Sequence, residues 1–327
     1  MTPLSFEQMY ENEWTELETA LDRVLGRKGG KAAARSPVSG ARIAALYRRA
    51  CEHLALARAR AYPAYMVDRL ERITADAHQL IYQRREFGLA RVKQLIAVDF
   101  PSAVRTHAPY VAVAAATLLL PTVIIAVLVY KRPELILSVV SSETATSFEH
   151  MYSPTADSIG RTRTATTDWM MFGFYIRNNV GVAFQCFAGG LFAGLGTLFF
   201  LAYNGAFSGA LAGYLTARGL STTFYSFIAT HSAFELTAIV LSGAAGLRIG
   251  HALMAPGRQT RVQALVQATR DSAVLLYGVT AMLFVAAAIE AFWSSANWIP
   301  PAVKYSVAGV CWTAVFGYFT LQGRRAG

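Results

Sequence analysis

Residues 178–250 read NNVGVAFQCFAGGLFAGLGTLFFLAYNGAFSGALAGYLTARGLSTTFYSFIATHSAFELTAIVLSGAAGLRIG. The stretch is apolar over most of its length and is too long for the core of a water-soluble domain. A helix needs about 20 apolar residues to cross the ~30 Å of hydrocarbon in a bilayer. The stretch therefore predicts several membrane-spanning helices. Its few ionisable side chains, His231 and Glu235 among them, are unfavourable in such a setting.

The whole chain has the composition of a membrane protein. Of its 327 residues 54% are hydrophobic and only 15% are charged, whereas about 25% charged residues is usual in soluble domains. Further apolar runs lie outside the quoted stretch, at 110–130, 273–289 and 303–321. Only helices and closed barrels span lipid, and these runs lack the alternation of barrel strands. We therefore predict an all-α, polytopic helical membrane protein.

The apolar runs predict about six transmembrane helices, one of them short. They are expected at 107–130, 179–203, 206–217, 223–250, 272–292 and 302–321. In this scheme Asn204 and Gly205 form a tight turn before the short helix. Six crossings place most arginines of the C-terminal half on the same side as the N-terminal region, as the positive-inside rule requires. We predict a transmembrane domain at 107–327, an outer loop at 131–177 and both termini in the cytoplasm.

Residues 1–106 are predicted to form a cytoplasmic helical region. Apolar residues at helical spacing indicate three helices, at 1–25, 41–60 and 64–83. A basic, glycine-rich linker is predicted at 26–40. The first helix is acidic and the next two are basic, so it either docks on them or all three charged faces are simply solvated. The short basic segment at 87–100, ended by Pro101, is predicted to lie in the membrane interface.

The net charge of +10 restricts the expected partners. The basic residues fall at helix ends and in the N-terminal region, where topology and attraction to anionic lipid explain them. The lipid bilayer is therefore an expected partner and nucleic acid is not. The three cysteines are far apart and have neither a disulfide framework nor metal-site spacing.

Small residues recur at every fourth position in the quoted stretch. Gly205, Gly209 and Gly213 form one such face, and Gly246 belongs to another. Small residues at this spacing let helix backbones approach closely in a membrane. These faces predict either helix packing within the chain or the seam of a homodimer.

Five polar residues of the membrane region are expected to converge in one outward-facing pocket. They are Asn178, Asn179, His231, Glu235 and Glu290. A carboxylate at mid-membrane depth costs ~2.5–3.5 kcal/mol on insertion scales. Three interpretations stay open: interhelical hydrogen bonding, a proton, ion or small-ligand pocket, and a catalytic or metal site. His231, Glu235 and Glu290 would be the metal ligands, although nothing in the sequence demands a metal, and no cofactor is expected.

Several short motifs follow one another in a fixed order. They are Ile176-Arg177-Asn178-Asn179-Val180, Gly194-Leu195-Gly196-Thr197, Asn204-Gly205, His231-Ser232-Ala233-Phe234-Glu235-Leu236, Gly243-Ala244-Ala245-Gly246-Leu247, Pro256-Gly257 and Ala288-Ile289-Glu290-Ala291-Phe292. Together they resemble the stage II sporulation protein M family of multi-pass membrane proteins. The opening with Phe6, Trp14 and Leu17 extends the resemblance over nearly the whole chain. Ser232 is a departure, because the family usually has glycine after the histidine.

The resemblance implies a non-enzymatic scaffold or anchor in the bacterial inner membrane. In spore-formers the family takes its name from a protein that anchors a peptidoglycan-degrading machine during engulfment. The implied partners are other membrane or envelope proteins, including peptidoglycan-remodelling factors. A transporter or channel-like protein that binds a proton, cation or small solute at the His/Glu pocket is the alternative. An intramembrane enzyme, in its main form metal-dependent, is the third hypothesis.

Overall fold

The computed structural model describes residues 1–25, 39–83, 89–156, 159–160 and 167–324. These residues form α-helices and short 3-10 and π-helical turns, and no strand occurs among them. The prediction of an all-α fold is confirmed. The predicted linker at 26–40 lies almost wholly outside the described residues. The chain divides into two compact units, Met1–Arg91 (the first unit) and Val92–Gly327 (the second unit).

The first unit is a three-helix bundle with its own hydrophobic core. Its helices are α1 (Pro3–Leu25), α2 (Gly40–Ala59) and α3 (Ala64–His78), and α3 continues into a π-helical turn at Gln79–Gln83. The predicted helices therefore form, with ends shifted by one or two residues. The fully buried side chains at the centre of the bundle include Phe6, Trp14, Leu17, Met66 and Leu70.

Ion pairs join the acidic first helix to the basic second and third helices. Glu16 lies 2.7 Å from Arg42 of α2, and Glu18 lies 2.9 Å from Arg69 of α3. The hydrogen bond from Arg42 lowers the pKa of the Glu16 carboxyl group. The docking interpretation of these charges is confirmed, and the paired side chains stay partly exposed to solvent.

The second unit contains the membrane helices. After a short α4 (Leu89–Gln94) and a π-helical turn (Leu95–Asp99), the helices are α5 (Phe100–Thr106), α6 (Ala108–Lys131), α7 (Ser142–Met151), α8 (Asp168–Ala188), α9 (Leu195–Ala217), α10 (Ser221–Met254), α11 (Arg261–Ile289) and α12 (Pro301–Leu321). By length and composition, α6, α9, α10 and α11 are able to cross a membrane. The 21-residue helices α8 and α12 correspond to the other two predicted crossings. A total of six crossings stays a prediction.

Helix α10 is the central helix of the second unit. It packs against α6, α8, α9, α11 and α12. In its most apolar window 67% of residues are buried, compared with 11% in α6. Helix α6 instead exposes large apolar side chains such as Leu120, Val123 and Ile124. An exposed apolar face of this kind is the surface that lipid covers in a membrane protein.

The predicted turn between the second and third membrane helices is wrong. Asn204 and Gly205 lie inside the continuous helix α9, where the Asn204 side chain donates to the Phe200 carbonyl at 2.7 Å. The chain turns instead between α8 and α9, where Ala193 (φ 53°) and Gly194 (φ 83°) adopt left-handed conformations that end a helix. The predicted helices 179–203 and 206–217 are therefore replaced by α8 and a full-length α9.

Three other predicted boundaries also differ. The segment predicted as one helix at 87–100 contains a π-helical turn and continues through Pro101 into α5. Because α5 packs on α11 and α12, the end of the predicted N-terminal region at residue 106 falls inside the second unit. The predicted outer loop 131–177 is shorter, because α8 begins at Asp168. Inside that loop Ser141 caps the N-terminus of α7.

Glycines bring pairs of helices into backbone contact. Gly205, Gly209 and Gly213 of α9 lie against the carbonyl groups of Leu118, Thr122 and Ala126 of α6. The turn between α8 and α9 lies on α10, where Gly190 contacts Gly246 and Gly194 contacts Gly250. These small-residue faces are therefore filled within the chain, and they are not available as a homodimer seam.

Candidate functional site

A polar cluster forms where α8, α10 and α11 meet near one end of the second unit. This polar cluster consists of Asn179 of α8, His231 and Glu235 of α10, and Glu290 at the end of α11. One ligand atom from each of His231, Glu235 and Glu290 lies within 4.8 Å of the other two. His231 is 4% exposed and Glu290 is 9% exposed. The cluster is thus a set of ionisable groups held inside the helix bundle.

Glu290 is positioned by a change in helix type. Helix α11 ends at Ile289, and residues Glu290–Ser294 continue it as a π-helical turn. A π-helical turn is wider than an α-helical one and is frequently found at functional sites. Beyond it, the ammonium group of Lys304, which is 1% exposed, donates to the Ser294 carbonyl at 2.7 Å. This contact ties the turn to α12.

His231 is held in place from both sides. Its Nδ1 atom lies 3.0 Å from the hydroxyl of Ser294, and the ring packs edge-on against Phe227 one turn earlier in α10. Its Nε2 atom lies 4.0 Å from a carboxylate oxygen of Glu235. The i, i+4 spacing puts both side chains on one face of the helix. The ring therefore presents Nε2 to the carboxylate side of the cluster.

Hydrogen bonding in the cluster is incomplete. The Asn179 side-chain amide lies beside both Glu235 and Glu290. However, neither its Nδ2 atom nor the Oε2 atom of Glu290 makes a hydrogen bond of normal geometry, although both are buried. Buried polar atoms in proteins nearly always have a partner, so each exception calls for an explanation.

The segment between α6 and α8 closes the cluster from one side. Tyr152 is buried against Phe224 and Phe227, and its carbonyl accepts a hydrogen bond from Thr223 at 2.6 Å. Burial above all, and then the charges of Glu290 and Glu235, raises the pKa of the Tyr152 hydroxyl. The phenol therefore stays protonated.

The five residues predicted to converge do so in part. Four of them form the polar cluster. Asn178 is exposed and reaches it only through a 2.9 Å hydrogen bond to the Asn179 side chain. Sequence reasoning missed Tyr152, Ser294 and Lys304. The spacing of Ser294, four residues after Glu290, was the available signal for one of them.

The second unit also has a cavity of about 500 Å³ near the opposite ends of α10 and α11. It is lined by Val98, Asp99, Ser102, Ala103, Thr106, His107, Tyr110, Arg248 and Asp271. Arg248 and Asp271 pair across it at 3.6 Å, and Tyr110 is hydrogen-bonded to His251. Arg248 is thus paired with Asp271, and Asp99 adds a second carboxyl group to the lining.

The long apolar helices and the buried polar cluster define an α-helical membrane protein with ionisable groups inside its helix bundle. The chain belongs to the stage II sporulation protein M family, whose model matches residues 114–295. The resemblance seen in the sequence motifs is confirmed for that range. Residues 4–83 match a domain of unknown function (DUF8413), and the extension of the resemblance to Phe6, Trp14 and Leu17 stays a prediction. No curated protein and no solved structure matches the chain.

Proposed function

We propose that the chain is a scaffold of the bacterial inner membrane, which anchors other membrane or envelope proteins and catalyses no reaction of its own. The observation that carries this proposal is the separate first unit. It is a compact bundle with a core made only of its own side chains, and it matches a domain family different from that of the membrane helices. A folded module of this kind, joined to a membrane unit, is suited to recruiting partners.

The surface of the first unit supports a role in recruitment. Leu4, Met9 and Tyr65 are large apolar residues that are more than half exposed. Partner proteins bury exposed apolar side chains when they bind, and these three residues are the candidates for such contacts. We infer that this surface binds other proteins and that the first unit faces the cytoplasm, where the basic residues of the chain are expected.

The membrane unit supports a rigid anchor. Its helices touch backbone to backbone at the glycine faces, which leaves few side chains between them. Contacts of this kind hold membrane helices in one register. Helix α7, in the connection between α6 and α8, is held to α9 and its C-terminal end, because Glu149 pairs with Arg218 at 2.9 Å and accepts a hydrogen bond from Tyr214 at 2.5 Å. This connection is a second surface for envelope partners.

The test compares two sets of variants in the native host. Leu4→Asp and Met9→Asp place a charge on the exposed apolar surface of α1. Asn12→Asp adds the same charge at an exposed polar position of the same helix. Cross-linked complexes should be lost in the first two variants and kept in Asn12→Asp. Complexes kept equally in all three would contradict the proposed interface.

A transporter is the second candidate, and one observation favours it. Glu290 and Asn179 have buried polar atoms without hydrogen bonds in the membrane region, and ionisable groups at such depth are often part of ion pathways. In liposomes of the purified protein, a transporter predicts proton or cation flux that Glu235→Gln abolishes. The scaffold proposal predicts no flux and normal partner binding in the same variant.

A further inference from the structure

We propose that His231, Glu235 and Glu290 bind a divalent first-row transition metal ion, Zn²⁺ in the first instance. Each residue offers one ligand atom, and these atoms lie within 4.8 Å of one another in the interior of the second unit. The proposal does not depend on the scaffold function, because a resident ion serves a rigid anchor as well as it serves a transporter.

The histidine is already arranged as a metal ligand. Its Nδ1 atom is 3.0 Å from the Ser294 hydroxyl, which is able to accept the ring N–H. Metal-binding histidines almost always donate their second ring N–H to such an acceptor, and this fixes the tautomer. The lone pair of Nε2 is then free, and Nε2 is the atom that faces Glu235.

The distances require only small side-chain movements. Zn²⁺ binds nitrogen and oxygen ligands at about 2.0–2.2 Å, so neighbouring ligand atoms in a tetrahedral shell are about 3.3–3.5 Å apart. The Nε2 atom of His231 is 4.0 Å from the Glu235 oxygen. Both carboxylates end long side chains with several rotatable bonds, which are the groups that would move to bring the ligands together.

The unpaired atoms provide independent evidence for a missing ligand. The Oε2 atom of Glu290 and the Nδ2 atom of Asn179 are buried at the cluster without hydrogen bonds. A carboxylate oxygen bound to a cation needs no hydrogen-bond donor. The Asn179 amide beside both carboxylates is then placed to orient them, as hydrogen-bonding neighbours of metal ligands do.

The charges favour a cation over purely structural hydrogen bonding. Among the described residues, neither Glu235 nor Glu290 forms an ion pair with a lysine or arginine. The nearby ammonium group of Lys304 donates to the Ser294 carbonyl instead. Two charged carboxylates in the membrane interior are strongly unfavourable unless they are paired, protonated or bound to a metal. A divalent ion would neutralise both.

The ligand set points to the class of metal. Imidazole favours zinc, iron, copper or nickel, whereas carboxylates suit harder ions such as manganese. One histidine and two carboxylates therefore fit Zn²⁺ best, with Mn²⁺ as the harder competitor. Three protein ligands leave one position of a tetrahedral shell for water or a bound group.

Metal binding by the intact chain is the test. The full-length protein, purified in detergent with a tag that contains no histidine, is stripped with a chelator and titrated with Zn²⁺ in competition with a coloured chelator. We expect saturation at about one ion per chain. Glu290→Gln and His231→Gln should weaken binding by at least about 100-fold, and Asn179→Ala by about 10–100-fold.

Matched controls and a second measurement make the result decisive. Glu143→Gln and His150→Gln change exposed residues of α7 and should leave the affinity unchanged. If the site variants aggregate, X-ray absorption of the Zn²⁺-loaded parent still decides, because it should show one imidazole and carboxylate oxygens. No saturable binding, sulfur coordination, or equal affinity in the ligand variants and controls would each overturn the proposal.

Discussion

Gly209 of α9 lies directly against the backbone carbonyl of Thr122 in α6, and no side chain separates the two helices. A Cβ atom at Gly209 would enter the contact distance of that carbonyl. The seam between α6 and α9 therefore depends on the absence of a side chain at this position.

Gly209→Ala should lower the stability of the second unit by about 1–3 kcal/mol, because backbone cannot move aside as a flexible side chain can. Thermal unfolding in detergent micelles, followed by tryptophan fluorescence, measures the change. Gly309→Ala in α12 is the control, since a Cβ there meets nothing within 4 Å. The control should be neutral or raise the stability by up to about 1 kcal/mol, because alanine favours helix more than glycine does. Equal effects would show that the close contact is not needed.

Ser294→Ala should destabilise the second unit by about 1–2 kcal/mol, because it leaves the buried Nδ1 atom of His231 without its partner. Ser306→Ala in α12 is the matched control. The Ser306 hydroxyl is exposed and bonds only to the Ala302 carbonyl in its own helix, so its loss should stay within about 0.5 kcal/mol. Chemical unfolding in mixed micelles compares the two variants. If Ser294→Ala left the stability unchanged, the Ser294 hydroxyl would not be needed to hold His231 in place.

Arg69→Ala should destabilise the first unit by about 1–2 kcal/mol. The Arg69 guanidinium binds Glu18 through two nitrogens, at 2.9 and 3.1 Å, and its carbon lies 5.7 Å from the centre of the Trp14 ring. These partly buried contacts add an ion pair to a cation–π interaction. Urea unfolding of the fragment Met1–Arg91 measures the loss.

The control for this prediction is Arg58→Ala. Arg58 also pairs with a carboxylate, at 2.6 Å from Glu71, but both side chains are largely exposed. Exposed pairs contribute little, so the change should stay below about 0.5 kcal/mol. Similar losses in Arg58→Ala and Arg69→Ala would mean that burial and the Trp14 ring add nothing.

The first unit should lose stability in mild acid. Burial lowers the pKa of His53 below its usual value of 6.5, and its Nδ1 accepts a hydrogen bond from the Trp14 indole at 3.1 Å. As the pH falls through about 6.5, His53 takes up a proton in the unfolded chain but not in the folded unit. The stabilisation that this difference affects is therefore complete above that pH. It decreases as the pH falls from 6.5 towards the lowered pKa.

Thermal unfolding of the Met1–Arg91 fragment at about pH 7.5 and about pH 5.5 tests this dependence. In His53→Gln the amide oxygen still accepts from the indole but does not titrate. The variant should therefore be less sensitive to pH than the parent. An unchanged pH dependence would assign the effect to other groups.

The two ends of α11 should be labelled from opposite sides of the membrane. Trp298 follows α11 and is 80% exposed, whereas Gln259 precedes it and is also exposed. With both termini in the cytoplasm, Trp298→Cys should react with a membrane-impermeant thiol reagent in intact cells. Gln259→Cys should react only after the membrane is permeabilised. The reverse pattern would contradict the predicted orientation.

The sequence predicted the helices better than the turns. Apolar length identified the membrane helices, and charge signs offered the docking of α1 as one of two interpretations. Asn204 and Gly205 are a common turn pair, yet here the glycine packs against α6 and the asparagine bonds within its own helix. Predicting the true turn would have required knowing which glycines contact α10. These are tertiary contacts, and the local sequence gives no signal for them.

The candidate site was likewise predictable from the sequence only in part. His231 and Glu235 share a helix face by spacing alone, and opposite chain directions brought Glu290 near them. The partners that hold the cluster were not predictable in the same way. Ser294 reaches His231 because residues 290–294 form a π-helical turn, and Lys304 is buried because its ammonium meets a carbonyl at the end of that turn.

The seam between α6 and α9 also has a consequence for how the chain is inserted during synthesis. The two helices are not consecutive, because α7 and α8 lie between them. Helix α6 therefore enters the bilayer before its main partner exists, and it is the most apolar of the four candidate spans, with little of its surface buried by protein. Helix α6 can therefore stay in the bilayer without a protein partner. The less apolar α9 is synthesised later, and its glycine face then packs against α6. In a nascent chain that ends after α8, the contact between α6 and α9 should be absent.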